Sequence, residues 1–291
     1  MQFANPVIHI LFKHFFEFEP KTYHFNFQFS QHKINLRIMR STFFDRPLEY
    51  QLLTAREEWL QGEPIEGKLS IRNMNPEKMI ANTVDVLLAY GNFRKIKAGE
   101  ENCWDVLHLE NIQKDLNLDG NQKLSYDWRF NLPSDAPITD KSGSLFLLFG
   151  GEDVLNRGGR LDVRIKMMEL LQSFLQTFAT QFQFVQKSAK YKDGWTEVQL
   201  DPPTGSREFP NLEHVLCYLR MLDEKLELKY RCKIKTLKKD GESMKVRRKY
   251  LEVSQTLTAD DYLQTSGFPN RSRFREMIEI ALSEAKPTVV F

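Results

Sequence analysis

From Leu48 onward, hydrophobic and polar residues alternate in short stretches separated by turn signals at intervals of roughly 8 to 12 residues, the spacing expected of a β-sandwich. Ile65, Leu69 and Ile71 alternate with Glu66, Ser70 and Arg72, and Val84, Val86, Leu88 and Tyr90 repeat the pattern. The clearest case is Leu124, Tyr126, Trp128, Phe130 and Leu132 against Ser125, Asp127, Arg129 and Asn131. A period of two buries one face of a strand and wets the other. The stretch Leu145 to Phe149 is apolar throughout, which predicts a strand covered on both faces.

Gly150, Gly151, Gly158 and Gly159 follow closely and suggest a junction between two domains. Beyond them, between Ile165 and Phe182, Met168, Leu171, Leu175, Phe178 and Phe182 recur at steps of three or four, predicting an amphipathic helix that either packs on its own domain or offers a surface to a partner or a membrane; its polar side is not basic, which speaks against the membrane. Strand patterning then resumes through Thr196, Val198 and Leu200, through Val215 to Met221, and through Leu226, Leu228, Tyr230, Cys232 and Ile234. Asp240-Gly241 supplies a tight hairpin turn before a strand over Met244 to Val253. Asn270 is placed to cap a short helix carrying Phe274, Met277, Ile278 and Ala281. The expected divisions are an N-terminal extension over 1–40, β-sandwiches over 41–153 and 154–260, and a tail with a short helix over 261–291. The first 40 residues, with Tyr23, Phe25, Phe27 and Phe29 alternating, read either as one strand or as an extension ahead of a start at Met39.

Composition supports this outline. At 291 residues, two domains are the default expectation. The 41% hydrophobic and 27% charged residues are ordinary for a globular protein, and 22 Phe beside 14 Gly lean the balance toward strands. The formal charge of +2 gives no global pull toward nucleic acid. No apolar run approaches the 18 residues a transmembrane helix requires, and Val7 to Phe12 is a poor signal peptide, so the expected location is the cytoplasm.

Candidate chemistry is sparse. Cys103, Cys217 and Cys232 are odd in number and widely spaced, which suits buried free thiols better than a disulfide framework or a zinc site. There is no nucleophile elbow and no phosphate-binding glycine pattern, and His108 and His214 read as strand histidines. No catalytic residue, metal or cofactor is therefore expected. The sharpest charge feature spans residues 229 to 249, where Lys229, Arg231, Lys233, Lys235, Lys238, Lys239, Lys245, Arg247, Arg248 and Lys249 face only Asp240 and Glu242. Lys229, Arg231, Lys233 and Lys235 share one parity, so a strand sets them on the face opposite Tyr230, Cys232 and Ile234. Two readings stand: an anion-binding surface for an acidic partner, a phosphorylated segment or a lipid headgroup, and a solvated edge hairpin whose lysines discourage strand-to-strand aggregation.

Several segments carry a resemblance. Gly62-Glu63-Pro64-Ile65-Glu66-Gly67, followed by Lys68-Leu69-Ser70-Ile71, is similar to the G-E-x-x-x-G turn and strand of arrestin-type domains. Leu132-Pro133-Ser134-Asp135-Ala136-Pro137, then Gly143-Ser144-Leu145-Phe146, resembles their L-P-x-x-x-P loop, glycine and strand. In the second half, Asp193-Gly194-Trp195, Pro202-Pro203 and Ser206-Arg207-Glu208-Phe209 resemble bacterial arrestin-like proteins of the sporulation-control type. The resemblance covers roughly residues 45 to 253. It implies an all-β protein of two tandem arrestin-like (immunoglobulin-like) β-sandwich domains, to which the periodicity adds one amphipathic helix near the junction and a short C-terminal helix. It also implies a non-enzymatic adaptor or scaffold that binds protein partners. Pro202-Pro203-Thr204-Gly205 lacks the tyrosine of a ligase-binding PPxY motif, so trafficking partners are not implied. An expectation of another class is a sandwich binding carbohydrate or another small or anionic ligand, which Trp59, Trp104 and Trp195 could serve while Trp128 reads as core.

Overall fold

A computed structural model describes residues 38–240, 243–283 and 285. The expected strand over Tyr23 to Phe29 lies outside the described residues. The described residues form one compact unit with two halves. The first half runs β1 (Met39–Asp45), β2 (Leu48–Thr54), β3 (Glu58–Leu60), β4 (Pro64–Asn73), β5 (Met79–Asn92), α1 (Phe93–Ala98), β6 (Trp104–Leu118), β7 (Lys123–Asn131), β8 (Gly143–Gly150), α2 (Val154–Arg157) and β9 (Gly159–Lys166). The second half runs α3 (Glu169–Phe182), β10 (Val185–Lys192), β11 (Trp195–Asp201), β12 (Leu212–Leu222), β13 (Lys225–Asp240), β14 (Ser243–Leu257), α4 (Ala259–Tyr262) and α5 (Arg271–Ser283).

In the first half, a sheet in the order β1-β2-β4-β7 faces one in the order β3-β9-β8-β5-β6. Their inward residues, among them Leu52, Ile65, Leu69, Trp128, Phe130, Val86, Leu147 and Val163, make one continuous core. As its composition predicts, β8 is buried along its whole length. Leu145, Leu147 and Phe149 point into the sandwich, while Phe146 and Leu148 join Leu87 and Ala89 in a smaller cluster against Phe93, Ile96 and Trp104.

The glycines of the arrestin-like segment have distinct physical jobs. Gly62 turns the chain into β4 at φ +82°, a left-handed conformation costly for any residue with a Cβ. Gly67 lies between β2 and β7, where a Cβ would stand 2.0 Å from the Leu53 carbonyl oxygen and 2.6 Å from the Trp128 ring. The L-P-x-x-x-P loop closes on the same turn: Gly62 N donates to Pro133 O at 3.2 Å, and the buried Gln61 donates from Nε2 to Ala136 O at 2.6 Å.

The strand pairing carries the first sandwich past residue 153, where the glycine cluster suggested its end. β9 pairs with β8, so residues 159–166 complete the larger sheet. The glycines serve the hairpin between those strands: Cβ atoms at Gly158 and Gly159 would run into Val154, Phe149 and Phe43. The predicted helix accordingly starts at Glu169, and Ile165 belongs to β9.

The second half is a five-stranded antiparallel sheet in the order β10-β11-β12-β13-β14. Its second layer is supplied by α3 and α5, which pack on one face. Leu171, Phe174 and Phe178 of α3 and Phe274 and Ile278 of α5 share a core with Val198, Val215, Cys217, Leu228, Tyr230 and Cys232. Phe174 meets Phe274 edge-on at 5.3 Å between ring centroids. Asn270 caps α5 as expected, its Oδ1 accepting from Arg273 N at 3.2 Å. The two halves meet where Met168 N donates to Gln61 Oε1 (3.4 Å), Tyr191 N donates to Asp140 Oδ2 (2.8 Å), and the Tyr90 and Tyr191 rings lie 5.5 Å apart.

Candidate functional site

The alternation of β13 sends Tyr230, Cys232 and Ile234 into the core and Lys229, Arg231, Lys233 and Lys235 to the opposite face, so the predicted basic ridge exists as geometry. Cross-strand partners compensate much of it. Lys229 Nζ lies 4.3 Å from the Trp195 ring centroid, and Arg220 lies 4.2 Å from the same ring. Arg231 sits 4.3 Å from the Tyr250 ring and pairs with Glu252 at 3.3 Å.

Glu213 organises the rest. The β12–β13 register shifts between Leu212 and His214, and the bulged residue, Glu213, meets cations from β13 and from β14 beyond it. Arg248 Nε lies 2.9 Å, Lys233 Nζ 3.1 Å and Lys235 Nζ 3.6 Å from its carboxylate. Hydrogen bonds from Arg248 and Lys233 hold the Glu213 pKa at about 2, against an ordinary 4.5. One carboxylate thus faces three cations, and a surplus of two positive charges remains. No sequence signal marks Glu213 as a partner of Arg248, 35 residues away; only the bulge and the hairpin bring them together.

β12 ends its pairing with β13 at Leu212↔Ile234, whereas β13 and β14 continue pairing to Asp240↔Ser243. Beyond Lys235, which donates its N–H to Asn211 O at 2.8 Å, the two strands form an arm that no third strand joins among the described residues. Along the arm Lys235, Lys245, Val246, Arg247, Arg248, Lys249 and Tyr250 are all exposed. Arg248 and Tyr250 lie opposite Lys235 and Lys233 and share the ridge face. Lys249 lies opposite Ile234 and Arg247 opposite Thr236, on the face that the helices cover only nearer the core. Lys238 and Lys239 belong to β13, but their side chains lie outside the described residues.

The second candidate feature is a groove of about 480 Å³ at the junction of the two halves, lined by Ile138, Ile165, Lys166, Leu175, Phe184 and Ala189 among others. The four tryptophans do not converge on a concave site. Trp59 and Trp128 are buried, Trp104 packs edge-on against Phe146 at 5.1 Å, and Trp195 lies against the Arg220 and Lys229 cations. Burial pushes the Cys232 thiol up to about 11 and raises the wholly buried Cys217 further, so both are protonated near neutral pH. His214 is depressed by burial first and by Lys233 second, which favours its neutral form. Among the described residues no group of His, Cys, Asp and Glu is arranged to hold a metal ion, and no helix is long and apolar enough to cross a membrane.

No family model and no curated protein sequence matches the chain. Among solved structures, the sporulation control protein Spo0M of Bacillus subtilis superposes with a TM-score of 0.58 at 12% identity, covering 82% of this chain and 99% of that one. The alkylpurine DNA glycosylase AlkC of Pseudomonas fluorescens gives 0.30 at 10% identity, covering 41% and 30%. A mutant β-glucosidase of Listeria innocua gives 0.27 at 9% identity, covering 41% and 16%. The last two TM-scores are too low to carry an argument. At 12% identity the first shows architecture alone: this chain has the arrestin-like, mainly β fold of Spo0M.

Proposed function

We propose that the protein is a non-enzymatic adaptor that binds an acidic segment of a protein partner through the basic β13–β14 arm of its second half. The observation that carries this reading is the arm itself, a two-stranded projection beyond the sheet with Arg247 and Lys249 exposed on one face and Lys235 and Arg248 on the other. Concentrated like charge on a projecting element raises the local concentration of an oppositely charged partner and speeds encounter. The protonated thiols and the dispersed tryptophans support binding over catalysis and over a carbohydrate platform.

The direct test is fluorescence anisotropy of a labelled oligoglutamate peptide with the full chain at low and at physiological salt. Binding should weaken as salt screens the attraction, and the double variant R247E/K249E should lose about tenfold or more in affinity. An oligoglutamate peptide that fails to bind, or binds the variant equally well, rules the arm out as the contact. Reversing Lys233, Lys235 and Arg248 would be a poorer test. Each introduced carboxylate would face Glu213, so lost binding and lost stability would be confounded.

A further inference from the structure

We infer that the acidic segment binds as an added β-strand along the free edge of β14, an inference that rests on the adaptor reading above and names its mode of recognition. Among the described residues, β14 is the last strand of its sheet. Its ladder with β13 runs without a register shift from Leu226↔Leu257 to Asp240↔Ser243, so alternate residues of β14 turn their backbone groups toward β13 and away from it. Two contacts set the phase. Thr236 Oγ1 donates to Arg247 O at 3.4 Å, so the Arg247 carbonyl lies on the β13 side. Lys235, opposite Arg248, sends its N–H away from β14 to Asn211 O at 2.8 Å. Val246, Arg248 and Tyr250 therefore direct their N–H and C=O groups to the open side.

Those open groups lie where the cations change face from residue to residue. A ligand lying flat on the sheet would meet either Lys235 and Arg248 or Arg247 and Lys249. A strand added at the edge projects its own side chains alternately to both faces and meets both sets. The charge distribution thus matches strand addition, a mode in which main-chain hydrogen bonds supply affinity and alternate side chains supply specificity. The pattern of the guest follows from the host. Arg247 and Lys249 call for acidic residues at every second position on one face. Val246 and Tyr250, 57% and 48% exposed on either side of Arg248, call for apolar residues flanking an acidic one on the other. Like charge also repels a second copy of the same arm, so this edge resists self-pairing while admitting an acidic strand.

The probe is a six-residue peptide labelled through an N-terminal amide, Glu-Val-Glu-Glu-Glu-Tyr, whose second, fourth and sixth residues would pair with Tyr250, Arg248 and Val246. One derivative carries N-methyl groups on those three amides, which would face β14; the other carries them on the remaining three, which would face solvent. Charge and composition are the same in both. Strand addition predicts that the first derivative binds the full chain about tenfold or more weakly than the parent, because it loses several main-chain hydrogen bonds, whereas the second stays within about threefold. Equal affinity of the two derivatives overturns strand addition and leaves the charge-based adaptor reading standing. Failure of the parent and of oligoglutamate alike to bind, with or without binding to phosphatidylserine vesicles, overturns both.

Discussion

Glu213 stays ionised far below the pH at which a free glutamate protonates, because Arg248 and Lys233 donate to its carboxylate and Lys235 stands nearby. Its pKa is lowered on folding from 4.5 to about 2, so the stability it contributes is present above the unfolded value and is lost as pH falls from about 4.5 toward 2. The variant E213Q should therefore be less stable than the parent at pH 7, and the gap in melting temperature should close between pH 5 and pH 2. A gap independent of pH would mean that the carboxylate is not what the three cations share. Gly67 makes a second prediction at this scale. With the Leu53 carbonyl oxygen 2.0 Å from the site of a Cβ, the variant G67A forces β2 away from β4 and should cost about 1 to 3 kcal/mol, read from the urea unfolding midpoint. Gly99, a left-handed helix cap with open space around it, offers a control whose cost is conformational alone.

Amphipathic helix α3 is an element whose stability comes from its layer. Leu171, Phe174, Leu175 and Phe178 recur at helical spacing and are buried against the sheet and α5. The Phe178 ring lies within 6.4 Å of Phe174, Phe182, Phe184 and Tyr230 centroids, and its side chain is fully buried. The variant F178A should destabilise the second half by about 3 to 5 kcal/mol, since the lost burial is compounded by a cavity among aromatic neighbours. The β13–β14 arm is the opposite kind of element: beyond Lys235 it has, among the described residues, neither a third strand nor a covering helix. Exposed apolar residues on such an edge invite pairing. The variant V246S, which changes no charge, should leave the melting temperature almost unchanged while weakening the six-residue acidic probe, whose tyrosine would pair with this position, a separation that calorimetry and anisotropy can measure together.

Among the described residues, the two halves are joined by polar contacts in which Asp140 takes part in two ways at once. Its Oδ1 accepts from Ser142 N and Gly143 N within its own loop, while Oδ2 accepts the Tyr191 amide of β10. Removing the carboxylate in D140A should speed exchange of the Tyr191 amide by roughly tenfold, as expected when a charge-assisted hydrogen bond is lost, and should leave amides in the centre of β8 unaffected. Hydrogen exchange followed by NMR distinguishes this from global destabilisation, which would accelerate both. The arm lies on β13 and β14 and this junction on β10, at opposite edges of one sheet. D140A should therefore leave acidic-peptide binding intact.

Much of this architecture was legible in the sequence, because period-two alternation and period-3.6 stripes are local consequences of burying one face of an element. The strand Leu124 to Leu132, the doubly covered Leu145 to Phe149, the helix ending at Phe182 and the cap at Asn270 are all local in this sense. So is the ridge parity of Lys229 to Lys235, which needs only the knowledge that Tyr230 and Cys232 point inward. Tertiary structure decided what depends on residues far apart in the chain. The glycines at 150–159 read as a junction, but whether they end a domain or turn a hairpin depends on which strand Gly159–Lys166 joins. An amphipathic helix announces an apolar face without naming its partner, so the helical layer of the second half appears only when α3 and α5 meet across one sheet. Glu213 was silent for the same reason. A single carboxylate acquires its meaning from a bulge and from a strand that returns 35 residues later, and neither is written in its neighbours.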